Sequence, residues 1–243
     1  MATYLGIGRC QDDWLAVAFD ASGFDHAAVY PEIGTLWHRY EEDTTRALVG
    51  IPIGLIETGE TDRACDRAAR EVLGPRHAAV VTPPVREATR KRRYPAAKRV
   101  NRRKAGVSLS KQAFALSDAI AAVDDLLRNV PEARRAFVES HPEVCFRAFA
   151  GDSLVHPKTI AGGYAERMRA LAQFDADAPP VVQAVAEATG DAAVTVDEVL
   201  DAVALAFTAR PGPGDLYSLP PDPPRDAKGL PMQIVYRAET PLQ

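Results

Sequence analysis

The first 33 residues constrain the fold most, because they contain three short strand-like segments in succession. The segments are rich in Val, Ala and aromatic residues, and they cover Thr3–Cys10, Trp14–Ala21 and Ala27–Ile33. Only QDD and SGFDH separate them. Such short connections join neighbouring antiparallel strands, so the sequence predicts a three-stranded meander at the start of the chain.

Helices and strands alternate after this meander. The expected elements are a helix over Leu36–Asp43, a strand over Arg46–Pro52, a helix from a Thr61 cap to Leu73, a helix over Ser110–Asn129, a strand over Ala136–Ser140 and a helix starting at Pro142. Further helices are expected at about 163–174, 180–189 and 196–209, the last with Thr195 and Glu198 as a capping box. This order is typical of the RNase H-like α/β fold, which has a mixed sheet and helices on both faces. We therefore predict one such domain over residues 1–243.

Two segments interrupt the pattern, a basic insertion at about 90–106 and a proline-rich surface loop at about 211–228. After the loop, Met232–Arg237 is predicted to return as an edge strand. An exposed strand edge can pair with a second copy, so a homodimer is one expectation.

Composition indicates a globular protein, with 47% hydrophobic and 26% charged residues. No apolar run has the length of a membrane span, and the first residues lack the layout of a secretion signal. Cys10, Cys65 and Cys145 are odd in number and follow no zinc-binding spacing. We therefore expect reduced thiols in a cytoplasmic protein that has no membrane segment.

The basic insertion contrasts with the rest of the chain. Residues 90–106 contain nine Lys or Arg and no acid, although the net charge of the chain is −4. These cations could contact nucleic-acid phosphates, with Tyr94 available for stacking, or they could form a solvated loop. The candidate nucleic-acid-binding residues are Arg92, Arg93, Arg99, Arg102, Arg103, Lys104 and Lys111. The last of these follows Ser110, which could start an anion-binding helix N-terminus or act as an ordinary N-cap.

Asp197 and Asp201 form the sharpest local pair. Their i, i+4 spacing puts both carboxylates on one face of a helix, where they repel each other unless a shared cation such as Mg²⁺ binds them. The alternative is that both acids are stabilised by the dipole of the helix N-terminus.

The segment VESHPEVCF carries a second group of polar residues. Glu139, His141 and Glu143 surround a predicted junction between a strand and a helix. Open α/β sheets place their sites at the carboxyl ends of strands, but capping of the helix explains the same residues equally well.

Several short motifs together resemble one known family. They are IPIGL (51–55), the block CDRAAREVLGPRHAAVVTPPVREA (65–88), SKQ (110–112), ESHPEVCF (139–146), the Lys158, Gly162 and Arg167 segment, VDEVLDAVALAFTA (196–209) and GLPMQIVY (229–236). In order and spacing they resemble the domain of unknown function 429 family, whose members are predicted RNase H-like nucleases.

This resemblance implies hydrolysis of phosphodiesters in nucleic acid with Mg²⁺ or Mn²⁺. It implies Glu139, Asp197 and Asp201 as the catalytic, metal-binding carboxylates. It also implies His141, Glu143 and Lys158 as supporting residues.

The sequence departs from the family at two positions where acids are expected. Gly8 stands in the first predicted strand and Gly50 in the fourth. This leaves two hypotheses: a metal-dependent nuclease with a rearranged site, or a catalytically degenerate module that binds nucleic acid or protein. At Gly50 the resemblance indicates a missing side chain, whereas Gly54 fits a backbone turn.

Overall fold

A computed structural model describes residues 2–59 and 62–243, so the predicted Thr61 cap lies outside the described residues. The main sheet has five strands in the order β3-β2-β1-β4-β5. They are β1 (Thr3–Cys10), β2 (Asp13–Asp20), β3 (Gly23–Tyr30), β4 (Thr44–Val49) and β5 (Phe137–Glu139). The first three are antiparallel, whereas β4 lies parallel to both β1 and β5. The predicted meander is confirmed, and the mixed α/β architecture fits an RNase H-like fold.

Eleven α-helices lie within the described residues. They are α1 (Ile33–Tyr40), α2 (Ala64–Leu73), α3 (Arg86–Thr89), α4 (Tyr94–Ala105), α5 (Lys111–Ala115), α6 (Ser117–Asn129), α7 (Pro131–Ala136), α8 (Pro142–Ala150), α9 (Ala161–Phe174), α10 (Ala178–Ala188) and α11 (Val196–Ala209). One core joins the sheet to α8, α9, α10 and α11, and a second core joins its opposite face to α1, α6 and α7. Helices therefore cover both faces, as predicted.

Helix α11 is the central helix of the first core. Its residues from Val199 to Ala209, apart from Asp201, are buried, and the Glu198 carboxylate accepts a hydrogen bond from the backbone N of Thr195 at 2.8 Å, as the predicted capping box requires. The helix lies directly against β1, because a Cβ atom added to Gly6 would come within 2.2 Å of the carbonyl oxygen of Ala202. Glycine at position 6 therefore permits the close approach that fixes α11 on the sheet.

The structure corrects two expectations about helices. The predicted helix over 110–129 is broken at Leu116 into α5 and α6. The basic insertion is not a loop, because residues 94–105 form α4, which ends where Gly106 adopts φ +74° and donates its N–H to Arg102. Lys and Arg are strong helix formers, and a terminal glycine is a common helix stop, which explains this outcome.

The proline-rich segment is also more ordered than expected. It contains β6 (Asp215–Leu219), which pairs with the last strand, β7 (Ile234–Ala238), in a separate antiparallel sheet. On its other side β7 forms a bridge between Val235 and Ser140. The predicted edge strand therefore pairs with β6 along one side and forms a single bridge on the other, and the homodimer stays a prediction.

Candidate functional site

Lys158 forms ion pairs with both acids of the α11 pair. Its Nζ lies 3.5 Å from Asp197 Oδ2 and makes a shorter contact with Asp201 Oδ2. The other oxygen of Asp201, Oδ1, is buried and has no hydrogen-bond partner among the described residues. The carboxylates that were predicted to share a metal ion therefore share an ammonium group.

The pKa shifts agree with an ion pair at neutral pH. Burial raises the pKa of Asp201 to about 6, and the Lys158 ammonium opposes this rise. Burial disfavours the charged form of Lys158, but the carboxylates of Asp201, Asp197 and Glu143 together outweigh this effect and raise the pKa of the ammonium. Both groups are therefore charged at pH 7, and the positive charge of Lys158 compensates part of the negative charge of the two acids.

Glu143 and His141 lie close to this ion cluster. Glu143 affects the pKa of both Asp201 and Lys158. Its own partner is Arg167, which is fully buried and donates hydrogen bonds of 2.8 and 2.6 Å to the two carboxylate oxygens. Nε2 of His141 lies 3.3 Å from the carbonyl oxygen of Ala79, and Nδ1 is buried without a hydrogen-bond partner in the described part of the chain. Burial lowers the pKa of His141, so its ring is neutral at pH 7.

Glu139 lies on the other face of the sheet. It pairs in register with Val49, whose side chain belongs to the core on the α1 and α6 side, whereas the preceding Leu48 belongs to the α11 side. Side chains alternate along a strand and paired residues share a face, so Glu139 points away from α11. The structure brings Asp197, Asp201 and Lys158 together, but it does not bring Glu139 to them.

Glu139 instead belongs to a buried ionic network with Arg63. The guanidinium donates to both oxygens of Glu139 at 2.6 and 2.7 Å and to Asp66 at 2.6 and 2.9 Å. The backbone N–H of Ile53 donates to Glu139 at 2.6 Å, so the network holds the IPIGL segment against β5. Burial raises the pKa of Glu139 to about 7, while Arg63 opposes the rise. Sequence reasoning missed Arg63, because nothing in the sequence shows which acid it pairs with.

Three ligand-type atoms of this network could hold a metal ion. One atom each of Cys65, Asp66 and Glu139 lie within 4.8 Å of one another, the only such group of three among the described residues. However, the Arg63 guanidinium already bonds to two of the three, and burial raises the pKa of the Cys65 thiol, which disfavours the thiolate that a metal requires. Mg²⁺ prefers oxygen ligands, so this group does not fit the ion that the family resemblance implies.

Gly8 and Gly50 lie on the α11 side, and each has room for a side chain. A Cβ added to Gly8 would meet only Ala202 Cβ at 3.7 Å, and one added to Gly50 would meet Leu205 Cδ1 at 3.4 Å. The N–H of Gly50 bonds to the carbonyl of Ile7 at 3.0 Å, which makes the two glycines neighbours across β1 and β4. Acids at these positions would face the helix that carries Asp201. Without them, Asp197 and Asp201 are the only carboxylates of the described residues that form ion pairs with Lys158, and this set does not fit a preformed Mg²⁺ or Mn²⁺ centre.

Gly54 differs from these two glycines, as the sequence indicates. It has φ +77°, and an added Cβ would lie 2.7 Å from the Met232 side chain and 2.9 Å from the carbonyl oxygen of Pro231. This position requires glycine because the backbone turns there against the segment before β7.

The nine cations of the basic insertion, which lie on α4 and in the four residues before it, form two groups. Four of them form ion pairs with acids: Arg90 with Asp124 and Asp125, and Lys91, Arg103 and Lys104 with Glu87. The other five are exposed and have no acidic partner among the described residues: Arg92, Arg93, Lys98, Arg99 and Arg102. Lys98 is an addition to the predicted set. Lys111, at the start of α5, is likewise exposed and unpaired within the described ranges.

Two features near α4 are structural. Tyr94 donates its hydroxyl hydrogen to the carbonyl of Leu109 at 2.9 Å, and its ring packs against Phe114 with centroids 5.5 Å apart. The ring is therefore not free to stack on a base. Ser110 accepts the N–H of Ala113 at 3.0 Å and acts as an ordinary N-cap of the five-residue α5. This fits the capping alternative and not an anion site.

Comparison with known proteins gives one match. The family model described as "Protein of unknown function (DUF429)" matches residues 6–225. No curated protein and no solved structure matches the chain. Among the described residues, no helix is long and apolar enough to cross a membrane.

Proposed function

We propose that this chain, which belongs to the DUF429 family, binds nucleic acid through helix α4 and does not hydrolyse it. The observation that carries this proposal is the group of exposed, unpaired cations on and before α4. Arg92, Arg93, Lys98, Arg99 and Arg102 present five positive charges on a chain whose net charge is negative. Binding that depends on phosphate neutralisation requires such a localised positive surface.

The ion pairs at α11 support the absence of hydrolysis. Two-metal and one-metal hydrolases need several carboxylates to hold divalent ions against water. Here Gly8 and Gly50 supply none, Glu139 is bonded to Arg63 across the sheet, and Lys158 already forms ion pairs with both remaining acids. A divalent ion would have to displace an ammonium group from two carboxylates before it could bind.

Binding is tested by fluorescence anisotropy with labelled DNA and RNA oligonucleotides. We expect a dissociation constant of about 1–100 μM near physiological salt, as is typical of binding without sequence specificity. The triple variant Arg92→Ala, Arg99→Ala, Arg102→Ala is expected to lose at least about tenfold in affinity, because it removes three phosphate contacts. A matched control changes the same charge elsewhere with Arg39→Ala, Arg135→Ala, Arg169→Ala. Equal losses in both triple variants, or no binding by the wild-type protein, would reject the proposal.

Hydrolysis is the competing candidate, and one observation favours it. Asp201 Oδ1 is buried and unpartnered, which is unusual for a carboxylate oxygen unless it binds a group from outside the chain. Incubation with labelled DNA and RNA at several Mg²⁺ and Mn²⁺ concentrations decides between the two. Cleavage that the Asp201→Asn variant lacks would establish the competing candidate, whereas intact substrate with retained binding supports ours.

A further inference from the structure

The shape of the α4 surface indicates which form of nucleic acid it takes. We infer that α4 binds the phosphate backbone of double-stranded DNA and not an unstacked single strand. This inference rests on the proposed function, because it specifies the ligand of the same surface.

The cations form one convex face of the helix. Lys98 and Arg102 are four residues apart and form one row, and Arg99 begins an adjacent row that continues with Arg103, which is paired with Glu87. At about 100° per residue the unpaired cations of the two rows span roughly 100° of the helix circumference. Ala97, Val100, Asn101 and Ala105 occupy the opposite face and are buried. A helix that presents cations at both margins of its exposed face can reach phosphates on both sides of a groove.

The surface lacks what a single-strand site requires. Proteins that bind single strands combine a basic groove with aromatic side chains on which bases stack. Tyr94 is the only aromatic residue on α4, and it is bonded to Leu109 and packed on Phe114. The exposed large hydrophobic residues within the described ranges include none that belongs to α4. Phosphate contacts are therefore the interactions that this face can make.

Groove dimensions favour B-form DNA over double-stranded RNA. An α-helix with its side chains is about 10–12 Å wide, which matches the major groove of about 12 Å in B-DNA. The major groove of A-form RNA is deep and too narrow for side chains to read. The buried face of α4 carries no charge, so the approach of the helix to the duplex is directed by the exposed rows alone.

The experiment compares three ligands of equal length with the full chain: a 20-base-pair DNA duplex, one of its single strands and the corresponding RNA duplex. We expect the DNA duplex to bind at least about tenfold more tightly than either of the others. Between 50 and 200 mM salt, log affinity should fall against log salt with a slope of about −4 to −5, because five cations each contribute about −0.9. The Arg92, Arg99, Arg102 triple variant should reduce this slope by about 3.

A pair of single variants tests the role of the helix face. Lys98→Ala removes a cation from the exposed rows and should reduce the slope by about 1. The control Lys91→Ala removes a lysine that forms an ion pair with Glu87 at 3.7 Å, and it should change the slope by less than Lys98→Ala does. Circular dichroism and thermal unfolding check that each variant is folded.

The outcomes separate this inference from the proposed function. Tighter binding of the single strand, or a Tyr94→Leu variant that selectively weakens single-strand binding, would overturn the inference while the proposed function stands. Equal affinity for the RNA duplex would overturn the choice of B-form DNA. Failure of all three ligands to bind would reject the proposed function itself.

Discussion

Lys158 and Asp201 form an ion pair at the position where the family resemblance implies a metal ion. The pair joins the segment before α9 to the first half of α11, and Asp197 lies on its other side at 3.5 Å from the ammonium. This relationship links the acidic pair on α11 to a fixed internal cation.

A double-mutant cycle measures the strength of this pair. We expect Lys158→Met and Asp201→Asn to show a coupling free energy of unfolding of about 1–2 kcal/mol, because the partners are in contact and mostly shielded from water. Urea denaturation of the wild-type protein, both single variants and the double variant gives the value. The exposed pair Arg135 and Glu132 serves as the control, for which we expect less than about 0.5 kcal/mol. A coupling as small as that of the control would show that Lys158 does not neutralise Asp201 in solution.

Divalent metal affinity should appear when the acids are added and the lysine is removed. We expect the variant Gly8→Asp, Gly50→Asp, Lys158→Gln to bind Mn²⁺, because four carboxylates then face one another on the α11 side without an internal cation. Isothermal titration should show binding for this variant and none for the wild-type protein up to about 1 mM, the weak end of protein divalent-ion sites. Gly34→Asp with Lys158→Gln is a control, because Gly34 is exposed on α1. Wild-type affinity equal to that of the triple variant would contradict our account of Lys158.

Glu139 should behave as a structural residue. Glu139→Gln leaves the buried Arg63 guanidinium with Asp66 as its only carboxylate, and we expect a loss of about 3 kcal/mol in the free energy of unfolding. Nucleic-acid binding by the folded fraction should not change. Glu132→Gln, which removes an exposed acid, should cost less than about 0.5 kcal/mol. A stable Glu139→Gln protein with altered binding would place this residue in the functional site after all.

Two glycines of β1 provide a matched pair of substitutions. Gly6→Ala should destabilise the protein by about 2–3 kcal/mol or more, because the new Cβ overlaps the backbone of α11. Gly8→Ala should be neutral or stabilise the protein by up to about 1 kcal/mol, because its Cβ fits without overlap and the unfolded chain loses freedom. Chemical denaturation of the two variants compares them directly. Similar destabilisation by both would mean that position 8 has no room for the acid that relatives are expected to carry.

The neutral state of His141 makes stability depend on pH. Burial lowers the folded-state pKa of His141 below the value of about 6.5 that it has in the unfolded chain. Between these two values the unfolded chain binds the extra proton, so the contribution of His141 to the free energy of unfolding should decrease as pH falls below about 6.5, whereas the raised pKa values of Glu139 and Asp201 act in the opposite direction. Between pH 7 and 5.5 the wild-type protein should therefore lose stability relative to His141→Gln. Unfolding curves with the same pH dependence for both proteins would contradict this prediction.

The sequence by itself determined the helices and strands whose local residue patterns, such as strand-like segments, capping residues and apolar periodicity, match the structure that they form. The meander follows from three strand-like segments with short connections, and α11 follows from its capping box and apolar residues. The family membership follows from short motifs along the chain. The sequence shows that the basic insertion is highly charged, but it does not show that this segment forms a helix. The density of charge does not reveal whether a segment also has a buried face.

Only the tertiary structure decided how the polar residues are grouped. Glu139 and Asp201 carry the same functional group, and each was expected beside a metal ion, but the alternation of side chains along β5 places Glu139 on the face opposite α11. There Arg63, which is 76 residues away in sequence, binds it, while Lys158 binds Asp201 from a distance of 43 residues. Periodicity and capping act over a few residues and can therefore be read from the sequence. Which charged side chains pair depends on the face of the sheet on which each side chain lies. This placement is fixed only when distant segments pack together.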